Sequence, residues 1–327
     1  MRIGLGIPPH GLPMDLCLDI VHQAEERGFE GIWTGETWGT ETCTLVGALL
    51  ARSRHIHIGT SIVSIHLRPP TLTAMQAATL DLIAPGRARL GLGVSTRNIN
   101  GFHGLSWDYP VSRMREYVEI LRQVLAGERV SYEGQFYQPK GFGLSLNLTG
   151  PMPIYLAAVN PHMLQLAGEI ADGIILAWLP ARQLPHSLAE IAKGAERAGR
   201  SLADIEIGCY LHTLVTPNRE RALSDLRRVL VGYSQANTYI RGFRHFGYGD
   251  VLEEIHSRLQ AKDQAGAAAA IPESMVEELY IFGSAEECQD QVNRFVEAGV
   301  QNPILAPPPT SRLTADDVYG LVKAFSQ

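Results

Sequence analysis

Short runs of aliphatic and β-branched residues alternate along the chain with stretches whose apolar positions repeat at helical spacing. That alternation predicts parallel strands joined by crossover helices. The first strand is expected at about Arg2–Ile7, then a helix over Met14–Arg27 that Gly28 ends. A second strand follows at Glu30–Thr34 and a helix at Cys43–Ala51. His55–Val63, rich in β-branched residues, reads as the third strand, Thr71–Ile83 as the next helix with Pro85-Gly86 closing it, and Arg87–Val94 as the fourth strand. Ser95–Tyr109, with several Gly and Asn, reads as an irregular loop. Pro110 can open the next helix at its first turn, where Val111, Met114, Val118, Leu121 and Leu125 form one buried face.

Val130–Gln138, centred on Glu133-Gly134, reads as a small hairpin. Strands five to eight are expected at Ile154–Val159, Gly173–Ala177, Ile205–Val215 and Pro303–Ala306, with helices at Met163–Ile170, Ala181–Ala198, Ala285–Ala298 and Ala315–Phe325. Eight strands in this order close a barrel more naturally than an open sheet. The expected fold class is therefore α/β, a single (β/α)8 TIM barrel over residues 1–327. Insertions are expected at about 95–110, 128–150 and 219–274. The last of these, mostly helical, is too long for one crossover and is expected to cover the C-terminal face of the barrel.

With 327 residues and 45% hydrophobic content, the chain can bury a large core. Its 28 basic and 34 acidic residues leave a net charge of −6 with no block of one sign, so nucleic acid and membrane surfaces have no electrostatic footprint. Met1–Pro9 starts as a strand and lacks an apolar stretch of signal-peptide length. The four cysteines (Cys17, Cys43, Cys209, Cys288) are scattered and form no C-x-x-C pair, which fits inert thiols in a reducing compartment. The expected setting is cytoplasmic, and the expected partner is a small-molecule substrate.

A barrel of this kind builds its site at the C-terminal ends of its strands. The residues to weigh are then His10, the run Gly35 to Trp38, Ser61 to Arg68, Val94 to Arg97, Ala157 to Asn160, Trp178, His212 and Ala306. Gly91-Leu92-Gly93 is not a dinucleotide fingerprint: Thr96 stands at the third glycine position, and the strand is the fourth rather than the first. His55 and His57 alternate on a strand and could share a metal. They lie at the start of that strand, the stability end, so a surface role is expected and no metal. No G-x-S-x-G elbow and no P-loop is present. Glu36 directly follows a strand; against a helix cap or a buried ion pair, its position favours a role in the site. His66, Arg68 and His103 each carry weaker signals.

Several segments in one order resemble bacterial-luciferase-like proteins. They are Ala24 to Glu36; Ile58 to Ile62 with Arg68-Pro69-Pro70; Ala77 to Asp81; Gly86 to Gly93; Pro153 to Ala158; Ala167 to Gly173; Phe282-Gly283-Ser284; and Glu297 to Val300. The chain is similar above all to the coenzyme F420-dependent branch, including methylene-tetrahydromethanopterin reductase. That resemblance implies a (β/α)8 barrel, coenzyme F420 as cofactor with FMN as the alternative, and a homodimer. It implies a non-proline cis peptide at Ser61-Ile62 that backs the ring system. On this reading Ser61, Ile62, Val94, Ala157, Ala158, Val159 and Trp178 hold the cofactor. Backbone amides at Ser61-Ile62 and Ala157–Val159 would hold its ring. Trp38 and His103 meet the substrate, and Glu36, Thr37 and His66 are the catalytic candidates. The implied reaction is hydride transfer with a small organic substrate; the alternative is FMN-dependent monooxygenation. Many relatives carry a His where this chain has Thr37. A deazaflavin sugar-phosphate dehydrogenase has an acid where this chain reads Val94-Ser95, so that reaction is not expected.

Overall fold

The computed structural model describes residues 2–8, 12–309 and 314–326; His10, weighed above, lies outside them. Eight parallel strands close on themselves: β1 (Gly4–Ile7), β2 (Gly31–Thr34), β3 (His57–Thr60), β5 (Ala88–Gly93), β6 (Ile154–Ala157), β7 (Gly173–Ala177), β8 (Glu206–Val215) and β10 (Asn302–Ala306). Closure is made by β10, which pairs with β1 on one side (Gly4 against Ile304) and β8 on the other (Ala306 against His212). Two short strands complete the set. β4 (Val63–Ser64) pairs β5 just past the end of β3, and β9 (Ile281–Gly283) pairs the last three residues of β8. This is a (β/α)8 barrel.

The helices between strands are α1 (Met14–Glu26), α2 (Thr42–Arg52), α3 (Pro70–Ile83), α4 (Arg97–Phe102), α5 (Pro110–Leu125), α6 (Pro161–Ile170) and α7 (Leu184–Arg197). Beyond β8 come α8 (Arg219–Tyr233), α9 (Asn237–His245), α10 (Gly249–Gln260), α11 (Gln264–Ala269) and α12 (Glu273–Leu279), then α13 (Ala285–Glu297) and α14 (Ala315–Ala324). Each outer helix lays its apolar stripe on the strands, as Met114, Val118 and Leu121 of α5 do with essentially no exposure. Among the described residues, no helix is long and apolar enough to cross a membrane.

The barrel interior is filled by large rings. Trp33 and Tyr155 meet edge to face with centroids 5.1 Å apart, and Ile175, Ile304 and Tyr210 pack beside them. Such rings need bare backbone opposite: a Cβ on Gly6 would stand 2.3 Å from the Tyr210 hydroxyl.

Two acidic residues of the family-like segments anchor loops. Glu25 accepts hydrogen bonds from the amides of Arg54, His55 and Ile56 at the entrance to β3 (2.6–3.2 Å). Burial opposes its ionisation, but those amides outweigh it and hold the carboxyl below its usual range. Asp81 does the same for Gly86 and Thr149.

The structure departs from the sequence reading at β9, a short strand not expected there, and in four further places. The loop expected over Ser95–Tyr109 contains α4, capped by the Thr96 hydroxyl accepting from the Ile99 amide. The single third strand is broken into β3 and β4 at Ser61-Ile62. The hairpin extends to Phe142, bridged to Val130, and its turn closes from Gly134 to Tyr137 rather than at Glu133-Gly134. The helix expected from Ala181 opens as a 3-10 turn, with α7 starting at Leu184.

The segment α8–α12 builds a second hydrophobic core of its own. Leu226, Leu230, Phe243, Ile271, Met275 and Val276 are fully buried there and pack toward Trp178, Tyr280 and Phe282. It departs from the C-terminal end of β8 and so lies over the face where the strands end.

Candidate active site

The Ser61-Ile62 peptide bond is cis, at the break between β3 and β4. Glycines on both neighbouring strands let the chain pass. A Cβ on Gly35, just after β2, would lie 2.4 Å from the Ser61 carbonyl oxygen. One on Gly93, at the end of β5, would lie 2.6 Å from the Ile62 side chain.

Beside this bend, Glu36 is engaged rather than free. Arg68 grips it with two parallel bonds (Nη1 to Oε1 2.7 Å, Nη2 to Oε2 2.9 Å), and the Ser64 amide donates to Oε1 at 3.0 Å. The side chains of Glu36 and Arg68 are 7% and 9% exposed, and Arg68 also reaches Glu41 at 3.2 Å. A carboxylate whose oxygens are held by a guanidinium and an amide is poorly placed to give or take a proton. The arrangement instead ties the end of β2 to the segment that follows the cis peptide.

Around this bend stands a set of buried polar atoms with no hydrogen-bond partner: the hydroxyls of Thr34, Thr37, Ser61 and Ser64, both ring nitrogens of His66, and Nδ1 of His212. Unpaired buried atoms also occur on Trp33, Gln76, Asn100, Tyr280 and Asn302, but most lie at this rim, which makes it the candidate docking place for a polar ligand. The Ser61 hydroxyl approaches the Tyr210 phenol without closing a hydrogen bond of normal geometry. His66 is pulled down to about 4 by burial, with the Arg113 charge adding to the effect.

His212 lies level with Ala306, at the rim of the barrel. Burial pulls it down to about 4, opposed by a hydrogen bond to the Pro307 backbone. Its Nδ1 is buried without a hydrogen-bond partner, so that nitrogen is open to a bound ligand. Trp178, directly after β7 and at φ +57°, stacks against His212 with centroids 4.5 Å apart and against Tyr233 at 4.0 Å. Tyr280 closes on both Trp178 and His212. This aromatic wall gives His212 its desolvated setting.

The other expected residues divide. Val94, Ala157, Ala158 and Val159 end their strands at the same rim, but two of the amides expected to hold a ring are already used. The Ser61 amide donates to the Thr34 carbonyl (2.6 Å) and the Ala158 amide to the Ile175 carbonyl (3.3 Å). The Ile62 and Val159 amides form no backbone hydrogen bond among the described residues. The Val94 carbonyl accepts from the Trp107 indole at 2.9 Å. Trp38 is 66% exposed and meets Phe102 edge to face at 6.0 Å, at the mouth rather than inside. His103 is exposed at the end of α4. His55 and His57 face Glu25 and Glu30 at the opposite end of the barrel. The expected site left His212 without a role. Its place late in a long strand was visible in the sequence, but its buried, unpartnered Nδ1 exists only in three dimensions.

A closed (β/α)8 barrel with a cis peptide after its third strand and unpaired polar groups at the strand ends defines a barrel enzyme. The chain belongs to the luciferase-like monooxygenase family, whose model matches residues 2–302. It is 31% identical to a protein of Mycobacterium tuberculosis named provisionally as a coenzyme F420-dependent oxidoreductase; the match spans 92% of this chain and 93% of that one. It is 26% identical to the 5,10-methylenetetrahydromethanopterin reductase of Methanolobus tindarius, over 91% and 92% of the two chains. Among solved structures, the coenzyme F420-dependent tetrahydromethanopterin reductase of Methanopyrus kandleri superposes with a TM-score of 0.86 at 23% identity. That superposition covers 99% of this chain and 97% of the other.

Proposed function

We propose that this oxidoreductase transfers a hydride between coenzyme F420 and a small organic substrate. The observation that carries the reading is the ring of unpaired buried polar atoms around the cis peptide. The hydroxyls of Thr37, Ser61 and Ser64, both ring nitrogens of His66 and Nδ1 of His212 have no hydrogen-bond partner, and a polar, planar ligand satisfies them. The names of the relatives supply the identity of that ligand.

F420, when bound, supplies a carbon centre that gives or takes a hydride. The chain's own residues do the rest. Ile62 backs the ring, while Val94, Ala157 to Val159 and Trp178 bound it, with the Ile62 and Val159 amides free to donate. Thr37 and His66 meet the substrate, as do Trp38 and His103 at the mouth. Glu36 acts through Arg68 and Ser64 as a positioning residue. His212 moves the proton that accompanies the hydride, taking it from a substrate O–H or N–H at Nδ1 in the oxidative direction. Trp178 and Tyr280 keep water from that nitrogen.

A binding titration followed by visible absorption, with F420 and FMN offered side by side, tests the cofactor. F420 should bind at least about tenfold more tightly, a difference of about 1.4 kcal/mol. Tighter FMN binding, with oxygen consumption on reduction, would replace this reading by flavin-dependent monooxygenation.

The active unit is a homodimer. Its support is an apolar stripe on the outer face of α3, where Leu72, Met75 and Leu82 are 41%, 49% and 67% exposed at helical spacing. Light scattering at micromolar concentration should give twice the chain mass, and Leu82→Asp should lower it toward one. A monomer mass for the unaltered protein would refute the dimer.

A further inference from the structure

The ring of unpaired groups is uncharged. Among the described residues, every buried side-chain atom without a partner belongs to a hydroxyl, an amide, an indole or an imidazole, and none to a carboxylate, an ammonium or a guanidinium. His66 and His212 are both held down to about 4, so their rings are neutral at pH 7. The two charges felt at His66, Arg113 and Asp108, oppose one another, and the Arg113 guanidinium lies over the Phe136 ring at 4.5 Å. The Glu36 charge is neutralised by Arg68. Toward the helical cover, Tyr233 and Tyr239 meet at 5.3 Å and extend the wall that Trp178 begins.

The mouth of the same site is lined by rings that stand largely in water. Trp38, after β2, and Phe102, at the end of α4, meet edge to face while 66% and 69% exposed. Leu105, three residues on, is 41% exposed. Tyr109, 65% exposed, leans on Phe136 at 5.7 Å. The helices of a barrel run back from the strand ends, so Tyr109, at the N-terminus of α5, stands at the same face as Trp38. Its φ of +52° is uncommon for a residue that bears a ring. The hairpin that carries Phe136 is tied to this face as well, because the Tyr137 hydroxyl donates to the Ile65 carbonyl, next to His66. Exposed apolar side chains gathered at the edge of a pocket mark a place that an apolar ligand covers.

We propose that the substrate is uncharged where it reacts and carries a broad, flat apolar body: an aryl or fused-ring carbonyl compound, or the corresponding alcohol. The reacting group sits among the unpaired hydroxyls and imidazoles, and the body lies over Trp38 and Phe102. A charge beside the reacting carbon would be buried without a counter-ion, which is costly, so an α-keto acid does not fit. A small ketone fits the inner part but leaves Trp38 and Phe102 in water. The apolar mouth is continuous with the ring of unpaired groups through Ile65 and His66, and this makes its occupant the substrate rather than a separate partner. The inference rests on the proposed oxidoreductase reading and adds the class of substrate to it.

Isothermal titration calorimetry tests this on the full chain saturated with oxidised F420, with which a ketone cannot react. Three probes separate charge from shape: 2-acetylnaphthalene, 2-naphthylglyoxylate, which adds a carboxylate beside the carbonyl, and butanone, which lacks the flat body. The first should bind at least about a hundredfold more tightly than either of the others. Trp38→Ala and Phe102→Ala should each weaken 2-acetylnaphthalene about tenfold. In turnover with reduced F420 they should raise KM by a similar factor and change kcat much less. Leu146→Ala, which removes an exposed apolar side chain elsewhere, should leave the affinity as it is. Light scattering should give both ring variants the mass of the unaltered protein. A mass that falls would hand the mouth to a second copy of the chain and overturn the proposal. So would a glyoxylate that binds as tightly as the neutral ketone, a neutral ketone that does not bind, or an affinity indifferent to Trp38 and Phe102. Should F420 itself fail to bind, the cofactor assignment falls, and the same titrations on the cofactor-free chain decide the substrate class by the same criteria. Tight, ring-dependent binding of the ketone without hydride transfer from reduced F420 would overturn the reaction and leave the uncharged, apolar site standing.

Discussion

Glu36→Gln should lower the stability of the protein by about 3 kcal/mol. The range for breaking a buried ion pair by removing one charge is about 3–5 kcal/mol, and Arg68 keeps part of its compensation through Glu41 at 3.2 Å. The loss arises because Arg68, 9% exposed, is left with a neutral amide where it had a bidentate carboxylate, and because the Ser64 amide loses a charged acceptor. In a chain of this size such a change lowers the melting temperature by about 4–5 °C. Cofactor affinity should fall with it, since Glu36 ties β2 to the chain that leaves the cis peptide. The double replacement Glu36→Leu/Arg68→Leu should recover much of the stability, because a buried pair exchanged for apolar groups is often neutral. Thermal melts and a cofactor titration on the three variants check this. A melting temperature that does not move, together with a collapse of turnover alone, would return Glu36 to the role of proton donor.

The barrel itself was legible because its signals are local and repeated. A strand of the barrel is a short apolar run, a crossover is a period of 3.6, and eight such units in order leave few alternatives. The irregularities were not legible for the same reason. α4 has only six residues, two of them asparagine and one glycine, so its composition reads as a loop although Thr96 caps it. β9 is three residues long and acquires its identity by pairing the end of β8. The break at Ser61-Ile62 lies inside a run rich in β-branched residues, and only the resemblance to luciferase-like proteins marked it.

The site divides along the same line. Its expected location at the strand ends followed from the fold class, and Ser61, Thr37 and His66 were chosen by position. What a side chain does there depends on its neighbours. Glu36 looked available until Arg68, 32 residues away, was seen to hold it.

His212→Gln should reduce turnover by about 10²–10⁴-fold, the usual worth of a positioned proton carrier, while changing cofactor affinity little. The unaltered enzyme should also keep its activity in the oxidative direction well below the pH at which an ordinary histidine fails. Its imidazole is held down to about 4 by burial, so the ring stays neutral until the pH nears that value. The same depression has a consequence for stability. The unfolded chain takes up the proton near pH 6.5, whereas the folded protein resists until about 4. Between those values the unfolded state binds more protons, so stability falls as the pH is lowered from 6.5 to 4 and the His212 contribution is flat on either side. For a ring this deeply buried the loss is on the order of 3 kcal/mol at the acid end. His66, pulled down in the same direction but less shielded, adds to it more weakly. Melting temperatures measured from pH 7 to pH 4 should therefore drop more steeply in the unaltered protein than in His212→Gln, in which no proton is taken up at that position. Parallel curves would show that the ring is charged or solvated in the folded state. A neutral ring, and with it the proton step assigned to His212, would then have to be abandoned.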